Sequence, residues 1–273
     1  MRSKRSIVGT IILLAWAIVS VWPIFHFATI ALRPRVEIIS PEPIYWPTFT
    51  IEPWTKIWAE WPMIQYFTNS MAAVAGSVVI CLLLGIPAAY SLARYRYKGR
   101  EDIGNYILST KMMAPAVVAI PLFVLFAQLR MLDTVWALML VYAALNLSIV
   151  VWIIRSYMID IPHEIEDAAR TDGASDLRIL WEIIIPMCLP GIITAAVIAA
   201  VFGMNEFFLT LIIGRKEAFT MSIALANFKG GSDGIIYNAI ALIGFMAFFP
   251  ILLLIILIQN HLSRGLTMGA VKG

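Results

Sequence analysis

The sequence predicts an all-α integral membrane protein with six transmembrane helices. Three observations lead there. Of the 273 residues, 61% are hydrophobic and 14% are charged, whereas a soluble domain carries about 25% charged residues. The apolar residues gather into six segments, at 7–32, 70–92, 107–129, 134–154, 189–213 and 236–259, each near the roughly 20 residues that cross a 30 Å hydrocarbon core. Lys and Arg fall unevenly on alternate connections, the pattern that orients membrane proteins. A net charge of +3 gives no reason to expect nucleic acid.

The first segment needs a decision, because Arg2, Lys4 and Arg5 precede it in the manner of a signal peptide. It runs for 26 residues, from Ile7 to Leu32, against about 7–15 for a signal core. It is therefore read as a retained span, with a cytoplasmic tip, over residues 1–32. Residues 33–65 follow as an extracytoplasmic loop. Pro34, Pro41, Pro43, Pro47 and Pro53 forbid one continuous helix there, so an irregular loop on the membrane surface is expected. Trp46, Trp54, Trp58 and Trp61 suit the interface, where amphipathic rings collect.

Residues 66–260 are read as the transmembrane core, and 261–273 as a cytoplasmic tail. Pro23, Pro87, Pro115, Pro121 and Pro250 lie within spans, so neighbouring helices must satisfy the carbonyls they free. With the N-terminus inside, twelve basic residues fall on inner segments: Arg2, Lys4, Arg5, Arg94, Arg96, Lys98, Arg100, Arg155, Arg170, Arg178, Arg264 and Lys272. Seven fall outside: Arg33, Arg35, Lys56, Arg130, Arg215, Lys216 and Lys229. Lys111, near the inner end of the third span, belongs to neither set. Both termini are placed in the cytoplasm, with the Arg94–Arg100 cluster as the main anchor.

Enzymatic chemistry finds little to work with. Cys81 and Cys188 have no partner at metal-ligand spacing, and read as packing thiols. His26, His163 and His261 are scattered. No phosphate loop of the Gly-x-x-x-x-Gly-Lys-Ser/Thr type is present. No catalytic, cofactor-binding or metal-ligating residue is therefore assigned.

The inner loop at 157–188 is unusual in so apolar a chain. From Asp160 to Glu182 it holds seven of the seventeen acids: Asp160, Glu164, Glu166, Asp167, Asp172, Asp176 and Glu182. Pro162 can open a helix, and acids in a first turn complement the helix dipole. Ile161, Ile165, Ala168 and Ala169 fall on one side at helical spacing, and Gly173 suits a helix stop. Ser175 is a fair cap for a second helix, with the stripe Leu177, Leu180, Trp181, Ile184 and Cys188. Pro186 and Pro190 mark the return into the membrane. Two readings fit: a connector resting on headgroups, or a knob presented to a protein. A helix lying on lipid favours Lys and Arg on its polar face, and this one is acidic, which leans toward a protein partner.

The stretch Glu166-Asp167-Ala168-Ala169-Arg170-Thr171-Asp172-Gly173-Ala174, followed by Ile183-Ile184-Ile185-Pro186, resembles the EAA signature of ABC importer permeases. That pattern is Glu-Ala-Ala, three residues, Gly, nine residues, Ile, one residue, Leu-Pro. The spacing is kept, with Asp167 at the Glu position and Ile185 at the Leu position. Asn69-Ser70, Ala88-Ala89-Tyr90-Ser91-Leu92-Ala93-Arg94, Met204-Asn205-Glu206-Phe207 and the tail from Arg264 to Gly273 resemble the carbohydrate-uptake branch. The likeness is to its smaller, maltose-type permease subunit, and covers nearly the whole chain.

The resemblance implies a type I ABC importer permease fold in a bacterial inner membrane. It implies that the 162–173 helix couples to an ATPase through Glu164, Glu166, Asp167, Ala168, Ala169, Asp172, Gly173 and Ala174. The implied partners are a second permease subunit in a heterodimer, two copies of an ATPase subunit that bind the ATP and Mg, and an extracytoplasmic solute-binding protein. That protein would touch the Arg33–Pro62 and Arg215–Gly234 loops. A sugar or polyol would be the cargo, with membrane lipid around the spans.

Glu206 is the acid placed deep in a span, where a charge costs roughly 2.5–3.5 kcal/mol on insertion scales. It must face a cavity or a partner, and both a pathway role and a fastening hydrogen bond fit. Asn205, Phe202, Asn146 and Tyr142 are named with it as candidate pathway residues. Asn146, Gln128 and His26 also fit plain packing. A secondary transporter or channel driven by an ion gradient stays as the alternative, though such proteins ordinarily show several ionisable groups within the membrane.

Overall fold

The computed structural model describes residues 7–42, 47–228 and 237–268. Arg2, Lys4, Arg5, Pro43, Trp46, Lys229 and the end of the tail, including Lys272, lie outside the described residues. Every regular element among the described residues is helical. Four helices are long and apolar enough to cross a membrane, and two bent pairs bring the number to six if each is one span.

The chain divides into two compact units. The first, Met1–Ile64 with Ala224–Phe248, begins with α1 (Ile7–Ala31). Ile11, Leu13, Trp16 and Trp22 stand exposed on it, as befits a helix apolar all round and solvated by lipid tails. The proline-rich segment that follows is more ordered than the proline count suggests. It holds a single turn, α2 (Arg35–Ile38), and a regular helix, α3 (Glu52–Glu60). Pro53 sits in the first turn of α3, where its missing N–H has no intrahelical partner to lose. Trp54 donates its ring N–H to the Ala31 carbonyl at 3.1 Å, and Trp61 packs on Phe228 with ring centroids 4.5 Å apart.

The second unit comprises Gln65–Ile223 and Phe249–Gly273. Its frame is α4 (Met63–Arg94), α7 (Val135–Ile159) and α11 (Leu189–Met204). Cys81 and Ala89 of α4, Val150 and Ile154 of α7, and Ala195 and Ala199 of α11 are buried together. The two cysteines are free. Gly191 of α11 lies so close to the Tyr157 ring of α7 that a Cβ there would overlap it. α14 (Tyr237–Met268) closes the chain.

Two segments expected as single spans are broken. Within 107–129 the helix stops at Thr110 and restarts at Pro115, so that α5 (Arg100–Thr110) and α6 (Pro115–Gln128) meet at 90°. Pro115 is the cause: it disfavours helical geometry in the residue before it, and Ala114 is extended at ψ 132°. Within 189–213, α11 ends at Met204 and α12 (Phe208–Ile213) begins after a gap at 205–207. α13 (Met221–Asn227) follows.

Between α6 and α7, Asp133 adopts φ 60°. Its carboxylate accepts the backbone N–H groups of Arg215 (2.8 Å), Lys216 (3.0 Å), Glu217 (3.0 Å) and Ala218 (2.9 Å), and so fixes the turn after α12. Burial pushes this carboxyl up, but those four N–H donors outweigh it and hold it below the usual range.

Candidate coupling site and membrane polar cluster

The loop from Asp160 folds as α8 (His163–Thr171), α9 (Asp176–Ile179), a five-residue π segment (Leu180–Ile184) and α10 (Ile185–Met187). Pro162 occupies the cap position, one residue before the helix it was expected to open. Gly173 has φ 85°, the left-handed geometry that side chains resist. Its N–H reaches the Arg170 carbonyl and that of Ala174 reaches Ala169, each at 3.0 Å, the paired bonds of a Schellman stop. Ser175 caps α9 by accepting the Arg178 N–H.

The faces of α8 differ from the sequence reading. Ile161, Glu166 and Ala169 are buried, with Ile165 and Ala174 half-buried. Ala168 is exposed, alongside Glu164, Asp167, Asp172 and Gly173. Glu166 therefore belongs to the inner side of the knob. Its side chain is 1% exposed. One carboxylate oxygen pairs with the Arg94 guanidinium, itself 3% exposed, and the other accepts the Tyr90 hydroxyl at 3.1 Å. Arg94 also donates to the Ile161 carbonyl at 2.9 Å. Arg94 was counted in the basic cluster that orients the chain; its guanidinium is also a buried partner of Glu166. Arg170 spans the rim, 3.2 Å from both Asp167 and Asp176. Tyr95 donates to Asp176 at 2.9 Å. Burial and that hydrogen bond push its phenol up.

The stripe of the second helix is also displaced. Leu180, Ile184 and Cys188 are buried as expected, but Ile179 joins them, while Leu177 and Trp181 are 71% and 58% exposed. Trp181 lies inside the π segment, whose wider turn departs from the α-helical period that defined the stripe, whereas Leu177 precedes it in α9.

The candidate pathway residues separate into two kinds. Tyr142 is core: it is 1% exposed, and its hydroxyl meets Thr210 at 2.6 Å. Asn205 is exposed and donates to the Val201 carbonyl of its own helix at 2.8 Å. Glu206 caps α12 by accepting the Leu209 N–H at 2.9 Å, while its carbonyl receives the hydroxyls of Thr210 and Ser222. Asn146 is buried, donates to the Tyr142 carbonyl, and accepts from Lys111 at 3.2 Å. The Lys111 ammonium also donates to the Leu145 carbonyl at 3.1 Å and stands 4.4 Å from the Phe202 ring centroid. Glu206 lies within its electrostatic reach.

Thus Lys111, Asn146 and Phe202 assemble at the α5–α6 break, with the Glu206 charge near them at the α11–α12 break. Lys111 was placed near the inner end of the third span but given no role, although a basic residue inside an apolar segment is itself a signal. Arg94 and Tyr90 were hidden as members of a basic cluster and a span end. Among the described residues, no group of three or more His, Cys, Asp or Glu side chains is placed to hold a metal ion.

The family "Binding-protein-dependent transport system inner membrane component" matches residues 62–268. An inner membrane ABC transporter permease protein of Escherichia coli, YcjP, is 29% identical over 94% of this chain and 92% of its own length. The sulfoquinovosyl glycerol transport system permease protein SmoH of Agrobacterium fabrum is 27% identical over 98% of this chain and 93% of its own. A chain from the crystal structure of a bacterial ABC transporter involved in importing the acidic polysaccharide alginate superposes with a TM-score of 0.76. It is 22% identical, and the match covers 95% of this chain and 98% of that one. These findings support the ABC permease reading over a transporter driven by an ion gradient. The chain is a multi-pass inner-membrane protein with an ABC importer permease fold, a transport component rather than an enzyme. It belongs to the family of inner-membrane components of binding-protein-dependent transport systems.

Proposed function

We propose that this chain imports a sugar or related polyol, forming half of the pathway beside a second permease subunit in a heterodimer. Two copies of a separate ATPase bind the ATP and Mg and dock on α8. An extracytoplasmic solute-binding protein delivers the cargo to the outer loops, and both termini lie in the cytoplasm. The observation that carries this reading is the exposed side of α8. Glu164, Asp167 and Asp172 stand outward beside Ala168, and the helix ends abruptly at Gly173. Acidic side chains with a small residue between them suit a basic groove on a protein, and suit an anionic membrane surface poorly. The carbohydrate class is supported by the branch the sequence resembles and by SmoH, whose name gives a sulfoquinovosyl glycerol cargo. The polar cluster at Lys111, Asn146, Phe202 and Glu206 is the part of the pathway wall assigned to this chain.

The test is reconstitution with the neighbouring gene products in liposomes. Uptake is expected to require ATP, and uptake by this chain alone on an ion gradient overturns the reading. Charge reversal at Asp167 and Asp172, or Gly173→Pro, is expected to leave insertion intact while ATP hydrolysis loses its link to uptake. Normal ATPase co-purification and normal uptake in those variants would remove the docking role from α8.

A further inference from the structure

The loop that carries α8 is joined through the backbone to α7 on one side and α11 on the other. α4 has no such connection to it. Its cytoplasmic end reaches α8 through side chains alone. Arg94 pairs with Glu166 and donates to the Ile161 carbonyl at 2.9 Å, and Tyr90 donates to Glu166 at 3.1 Å. Both charged side chains are almost fully enclosed, at 3% and 1% exposure. Higher on α4, contact with α7 and α11 is mostly apolar, through residues such as Ile86 and Ala89, with one weak thiol hydrogen bond from Cys81 to the Ala143 carbonyl at 3.4 Å.

These two kinds of contact respond differently to force. Dispersion contacts between helices are individually tiny, so an apolar seam can shift in small steps. A buried ion pair resists parting by steps, because separation strips each charge of its close partner away from water; Arg170, 3.7 Å from Glu166 and 42% exposed, compensates it only from the rim. The alternative, replacing the pair with apolar side chains of similar volume, is often neutral for stability. Stability therefore gives no strong reason for the pair to be there, whereas a link that must hold under load does.

We infer that Arg94 and Glu166, supported by Tyr90, tie α4 to α8 so that a displacement of α8 carries α4 with it. They are positioning residues: neither touches cargo or nucleotide, and the wall of the pathway moves because they hold. Glu166 thus has a separate task from its neighbour Asp167, which faces outward. The inference rests on α8 being the element the ATPase pushes.

Two measurements decide it. In the reconstituted complex, Arg94→Met with Glu166→Leu removes both charges together, so that neither is left buried alone. Complex yield and basal ATP hydrolysis are expected to stay within about twofold, while cargo moved per ATP falls at least about fivefold, the low end of ordinary coupling between sites. Tyr90→Phe, which keeps the pair, is expected to lower the ratio less. Spin labels at Thr171 and Tyr97, both exposed, then report on the pair in a chain whose docking residues are unaltered. Their separation is expected to be the same without nucleotide and with ATP bound. A wild-type ratio in the double variant, or a label separation that changes with nucleotide, overturns the link. If the double variant does not assemble, the label separation decides alone. Wild-type uptake that needs no ATP overturns the function reading instead, and the link with it.

Discussion

The Asp133 carboxylate accepts the Ala218 N–H at 2.9 Å, and it does so while collecting the three amides before it. One side chain between α6 and α7 thereby stands in for the regular hydrogen bonding that the turn at 214–218 lacks. Asp133→Asn keeps the shape and removes the charge, and is expected to destabilise by about 2 kcal/mol, the scale of a hydrogen bond to a charged group. The pH dependence has a definite sign. The folded carboxyl lies below its ordinary value, so the unfolded chain binds its proton more readily. The contribution is whole above the ordinary Asp value of about 3.9, and is lost as pH falls through the lowered native value. Thermal midpoints of detergent-purified protein, taken through the acid range, should fall less steeply in Asp133→Asn than in the wild type.

Gly191 and Tyr157 make a second prediction. A Cβ at Gly191 would strike the Tyr157 ring, so Gly191→Ala is expected to destabilise by about 1–3 kcal/mol, as overpacking does. Tyr157→Ala should lose packing by itself. The double variant should cost less than the two singles added, because the cavity left by one accepts the methyl of the other. Thermal midpoints of the four proteins complete the cycle.

Lys111 supplies the third. Its ammonium joins the α5–α6 break to α7 through the Leu145 carbonyl and Asn146. Lys111→Met leaves the Asn146 oxygen without that donor and the Glu206 charge without its nearby cation. Uptake is expected to fall by about tenfold or more, equivalent to roughly 1.4 kcal/mol, with Lys111→Arg retaining more than Lys111→Met. Transport assays at saturating and limiting cargo would separate a loss of affinity from a loss of rate.

Much of the architecture was legible because lipid leaves its mark on composition. A span must be apolar along its whole length, so α1, α4, α7 and α14 announce themselves without knowledge of neighbours. The knob of α8 and α9 was legible through local chemistry: the first-turn acids, Gly173 at φ 85° and Ser175 as a cap are signals contained within a few residues. What stayed hidden depends on distance or on phase. Glu166 looked like one acid among several until the fold brought Arg94 and Tyr90 to it from another helix. Lys111 meets Asn146 across 35 positions of chain. Trp181 was assigned to a buried stripe because an ideal helical period was carried into a turn that is not α-helical. Tyr142 was named for the pathway on residue type, whereas its burial and its bond to Thr210 follow from packing alone.

The π segment at Leu180–Ile184 has a consequence for how this chain can vary in length. A π turn holds one residue more than the α turn it replaces. The helical stretches on either side therefore keep the facing they would have in an unbroken helix one residue shorter. Deleting one residue between 180 and 184 should let the turn close up as ordinary helix, with α9 and α10 (Ile185–Met187) still presenting the same sides to their neighbours. The same deletion within α8 or α11 would turn everything beyond it by about 100°, the angle set by 3.6 residues per turn. The stretch between the knob and the membrane thus carries a slack residue, whose loss does not rotate the helix that follows.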